Sequence, residues 1–143
     1  EVVELGLKRC SSRDLKFLSE LIDLQEKHLG ERKRVLELEL SFQDKLVEVI
    51  NNTVLLLFFN SIKQIRKKAT ELLIESLDKQ GLKGLLATKR ILIEKALSGS
   101  EEEIKQGVEI FRKRCELSRK KLREFMSRAY ELNNQKKRVA KAG

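Results

Sequence analysis

Proline and tryptophan are missing from this 143-residue chain, and histidine, methionine and tyrosine each occur once. Without proline nothing obliges a helix to stop or kink. With only seven glycines and 5% aromatics, the chain has little of what tight turns and strands are made from. Two cysteines, Cys10 and Cys115, lack any C-x-x-C spacing and support neither a disulfide framework nor a zinc site. With no signal-like leader, they point to a reducing, cytoplasmic interior. The charge-free run Thr53 to Phe59 is far shorter than the ~20 apolar residues of a membrane span, so no membrane association is expected. A lone histidine, His28, at a helix end and without a nucleophile pattern around it gives no basis for an enzyme. Its plain reading is a side chain facing the negative end of a helix dipole.

What is present is Leu, Lys, Glu, Ile and Arg, the residues of helices, with 41% hydrophobic content, enough for one core in one domain. The expected class is all-α. Glu1 is not a methionine and "VVELGL" has no start signal, so the chain reads as a piece of something longer, beginning in the tail of a helix. Ser11 or Ser12 caps the next helix, with Asp14 in its first turn, Leu15, Leu18, Leu21 and Ile22 on one face, and Gly30 at its end. Another runs from Glu31 to Ile50 on a stripe of Leu38, Phe42, Leu46, Val49 and Ile50. Asn51 and Asn52 then form a hinge, because asparagine tolerates left-handed angles and can cap the following helix. That third helix is expected from Thr53 to Gln80, with its apolar first turns buried in the domain centre or across a subunit interface.

Gly81 and Gly84 separate it from a fourth helix ending at Leu97, and Ser100 with Glu103 makes a capping box for the fifth. There, Ile104, Val108, Phe111, Cys115, Ser118, Leu122, Phe125, Ala129 and Leu132 alternate steps of four and three, a seam of about thirty residues. The helical domain is therefore expected over residues 1–132, followed by a basic, disordered tail over 133–143. Charge is segregated: from Lys105 onward thirteen Lys and Arg face four Glu, which accounts for the whole net charge of +9. Arg112, Lys113, Arg114, Arg119, Lys120, Lys121 and Arg123 can neutralise phosphates or form a solvated outer face. A helical nucleic-acid-binding or adaptor module using this helix is one reading; no aromatic stacking residues accompany it.

"LELSFQDKLVEVINNTVLLLFFNSI", "CSSRDLKFLSELI" and "ATKRILIEKALSGSEEEIKQGVEIFRKRC" together suggest a second reading. In order and spacing they resemble the FCD domain, the C-terminal effector-binding domain of FadR-type transcription regulators of the GntR family. Leu38, Phe42 and Leu46 fall on its apolar positions and Asn52 on its asparagine, while Thr53 and Val54 replace a proline and a leucine; the likeness covers about residues 1 to 125. It implies an antiparallel bundle of about six helices, homodimeric and ligand-sensing, that binds a small, anionic effector. It also implies a winged helix-turn-helix preceding the bundle, absent from this chain, through which DNA is bound. Many members hold a divalent metal with one aspartate and three histidines. Those positions fall here on Glu39, Gln43, Lys89 and Arg114. An amide and two cations offer a metal little, so no bound metal or other cofactor is expected. Lys89 and Arg114 are left to supply positive charge to Glu39 or to the effector, and either cation, if buried, needs an acidic partner.

Overall fold

The computed structural model describes residues 1–142, which form seven α-helices and, among the described residues, no strand. They are α1 (Val2–Arg9), α2 (Ser12–Lys27), α3 (Arg32–Ile50), α4 (Thr53–Ser61), α5 (Lys63–Ser76), α6 (Lys79–Leu97) and α7 (Glu101–Ala142). Leu7 of α1, Leu18 and Ile22 of α2, Phe42 and Leu46 of α3, Ile74 of α5, Leu92 and Ile93 of α6 and Ile104 of α7 meet in one core. Helix α2 packs on α3, and α6 on α7. Each pair is joined by a connector of only a few residues, so its two members run antiparallel. Among the described residues no helix is long and apolar enough to cross a membrane.

Local chemistry explains the boundaries. Ser11 accepts from the Asp14 amide at 3.2 Å while the Asp14 carboxylate accepts from the Ser11 amide at 2.9 Å, a reciprocal cap on α2. Asn51 ends α3 in the left-handed region, φ 52°, and Asn52 accepts from the Leu55 amide at 3.0 Å to open α4. At the start of α7, Ser100 accepts from the Glu103 amide.

Four expectations change. The helix expected over Thr53–Gln80 is two helices that meet at Ile62, followed by a stop at Leu77. Asn60 and Ser61 precede the break, and the Ser61 hydroxyl donates to the Phe58 carbonyl at 2.7 Å, the local competition that loosens a helix. Asp78 then caps α6 through the Gly81 amide at 2.7 Å, so Gly81 and Gly84 lie inside α6 instead of ahead of it. Burial of the apolar run in the domain centre is overturned: α4 has no buried residue, with Val54 78% and Leu57 64% exposed. Finally, the helical ladder of α7 continues through Ala142 across the segment expected to be disordered. Its seam is buried at Ile104 and Ser118 and half-buried at Val108, Phe111, Cys115, Leu122 and Phe125, whereas Leu132 on the seam and Met126, Tyr130 and Val139 beside it are exposed.

Candidate functional site

Helix α3 presents Glu39 and Gln43 one turn apart, and α6 brings Lys89 to them from fifty residues away. The Lys89 ammonium pairs with Glu39 Oε2, and it is 1% exposed. Its Nζ also lies 4.3 Å from the centroid of the Phe42 ring, so a π-face supplements the carboxylate. Gln25 of α2, also 1% exposed, donates to the same Glu39 oxygen at 3.0 Å and to the Val35 carbonyl at 3.3 Å. Gln43 reaches Glu39 Oε1 and the Thr70 hydroxyl, both at 3.4 Å, and accepts from Arg66 at 3.3 Å. Arg66 continues the chain to Asp44 at 2.5 Å. The result is a polar thread from α2 and α6 through α3 to α5.

Burial by itself would raise the Glu39 pKa. The Lys89 charge and hydrogen bonds from Lys89, Gln25 and Gln43 outweigh it and hold the carboxyl below its ordinary value. Glu39 is therefore an anion with two donors on Oε2 and one on Oε1. Gln25 Oε1 is buried without a partner, so the network is not closed at that end.

Three of the four residues named from the sequence thus come together, and the fourth does not. Arg114, on α7, donates to the Gly81 carbonyl at 2.9 Å and lies against Gly84, where a Cβ would be 2.6 Å from its Cζ. It has no ion-pair partner among the described residues, and its Nε is buried and unbonded. The sequence reading missed Gln25, Thr70 and Arg66. Gln25 had left a signal, since it stands three residues after Ile22 on the apolar face of α2. His28 ends α2, with Nδ1 3.1 Å from Glu31.

The residues at this centre do not suit a divalent ion. An ammonium occupies the one carboxylate, and the remaining groups are amides and a hydroxyl. Among the described residues no three His, Cys, Asp or Glu side chains gather. Neither cysteine is an activated thiol: burial pushes Cys10 up to about 11 and raises Cys115 as well.

No protein-family model matches the chain. A comparison with curated proteins also gives no match.

Proposed function

We propose that the chain is the ligand-sensing and dimerisation domain of a FadR-type regulator of the GntR family. In this reading an internal ammonium–carboxylate pair has taken the place of the family's metal. One observation carries it: Lys89, grouped with Glu39 and Gln43 only by the resemblance, meets them at a single point inside the bundle. An accidental likeness has no reason to select residues that converge from two helices. DNA contact belongs to a winged helix-turn-helix preceding this segment, and the effector acts by favouring one arrangement of the dimer over another.

A second copy is the natural cover for α4. Its exposed face, Val54, Leu57 and Phe58, carries no charge and can meet its own copy without like-charge repulsion. Beside it a cleft of about 330 Å³ is lined by Val2, Leu46, Phe59, Ile62 and Ile65 together with Gln43 and Arg66.

Light scattering together with a thermal-shift panel of small mono- and dicarboxylates tests the proposal. A dimer stabilised by one class of carboxylate is expected; a monomer indifferent to the entire panel overturns it. The exposed basic face of α7 favours a second reading, direct nucleic-acid binding. Micromolar, salt-sensitive binding of random duplex by this chain alone, measured by fluorescence anisotropy, would establish that reading in place of the first.

A further inference from the structure

Helix α7 carries its apolar seam further than the body carries anything to cover it. The steps of four and three that run through Ser118, Leu122 and Phe125 continue without a break to Ala129, Leu132, Lys136 and Val139, a heptad spacing. As far as Phe125 the body covers the seam at least in part. Beyond it Leu132 is 58% and Val139 74% exposed, and Met126 and Tyr130 stand open beside them. A helix takes most of its stability from the face it packs, yet about five turns of α7 have an apolar side with no cover among the described residues.

The charges beside the seam define what covers it. In a heptad the positions just outside the seam face the partner helix. Here Arg119, Lys121 and Arg128 are three of them, the rest are apolar or neutral, and none is acidic. Glu124 and Glu131, the only acids after Glu116, fall at outer positions of the repeat. Nearer the body Arg112 pairs with Glu109 at 2.8 Å and Glu116 at 2.9 Å, whereas from Arg119 onward no Lys or Arg has an ion-pair partner among the described residues. A second copy is a poor cover, because it sets two helices of like charge side by side with a Lys136 ammonium from each at the shared seam. A nucleic acid meets the cations and leaves Leu132 and Val139 in water. A bilayer surface takes a broad apolar face, and this one is a narrow stripe interrupted by Lys136.

We infer that the distal half of α7 docks an amphipathic helix of a partner protein, one whose apolar seam is flanked by Glu or Asp. The partner's apolar stripe completes a two-helix seam with Leu132 and Val139, and its carboxylates face Lys121, Arg128 and Lys136. Burial of the seam supplies most of the affinity, and charge selects the partner. The docking face lies almost wholly beyond residue 125, where the likeness to the FCD domain ends, and it stands whether or not the bundle senses a ligand.

A fluorescein-labelled peptide of three heptads, with Leu at the seam positions and Glu at both flanks, is titrated with the full chain and followed by anisotropy. Saturable binding at micromolar protein is expected, and none for the same peptide with Lys flanks. A peptide of identical composition in scrambled order keeps the charge but loses the seam, and should bind about tenfold more weakly or worse. L132Q/V139Q, at exposed positions, should lose about tenfold or more in affinity while its circular dichroism and thermal melt match wild type. K121Q/R128Q should weaken binding most at low salt, whereas K16Q/K27Q, which removes equal charge from exposed positions on α2, should bind like wild type. No saturable binding, equal binding of the scrambled peptide, or indifference to L132Q/V139Q overturns the docking face. A smaller oligomer for L132Q/V139Q by light scattering also overturns it, by giving the seam to a second copy. Tighter binding of random duplex or of phosphatidylserine vesicles than of the acidic peptide does the same.

Discussion

Lys89 shows how much one side chain can commit a fold to. Burying an ammonium is tolerable here because Glu39 faces it and the Phe42 ring flanks it. Lys89→Met leaves Glu39 buried without its counter-ion and should cost about 3–5 kcal/mol, read by urea denaturation. E39Q/K89M, which removes both charges, should recover most of that loss; a double variant as unstable as the single one would refute the pairing. The same carboxylate gives the protein a pH limit. Because the folded-state pKa of Glu39 lies below its ordinary value of 4.5, its contribution is complete above that value and is lost as pH falls through the depressed one. Asp14 acts in the same direction, held down to about 2 by hydrogen bonds from Ser11 and by Lys45. Melting temperature should therefore hold steady above about pH 5 and fall steadily in more acid solution, with a smaller fall in E39Q/K89M.

At the scale of elements, the Asn51–Asn52 turn was legible because its chemistry is local. One asparagine adopts the left-handed angles that end α3, and the next caps α4. Asn52→Ala should cost about 1 kcal/mol, whereas Asn51→Gly should be neutral or slightly stabilising; a thermal melt distinguishes the two. The packing of α4 was not legible in the same way. A run with no charge states only that water is an unfavourable neighbour, and it does not say whether the cover is the chain's own core or another chain. The split at Ile62 and the start of α6 at Asp78 were hidden for a different reason: the apolar spacing runs on past both, and only side-chain bonds at Ser61 and Asp78 mark them. Spacing likewise placed Glu39 and Gln43 on one face. Lys89 was grouped with them only through a resemblance, and Arg114, grouped the same way, reaches the Gly81 carbonyl instead of Glu39, a matter of tertiary packing that sequence order does not record.

On the scale of the whole molecule, charge and packing divide along the same line. Residues 1–104 carry eighteen charges of each sign, and the excess of Lys and Arg lies from Lys105 onward on α7, whose second half touches little else. Removing residues 127–142 should take away a net charge of four yet leave the urea midpoint unchanged, since most of the stability of a helix comes from the face it packs. In contrast, under the proposed α4-mediated dimer, Leu57→Asp on the exposed face should leave monomer stability intact and shift sedimentation from dimer toward monomer. An unaltered dimer would place the interface elsewhere.

Helix α7 also sets how the protein moves through solvent. Forty-two residues make a rod about 63 Å long, of which the last seventeen or so extend about 25 Å beyond the packed body. A compact chain of this size has a radius of gyration near ~14 Å. Small-angle scattering should therefore give a larger value, with a distance distribution trailing to long separations, and a diffusion coefficient lower than mass alone implies.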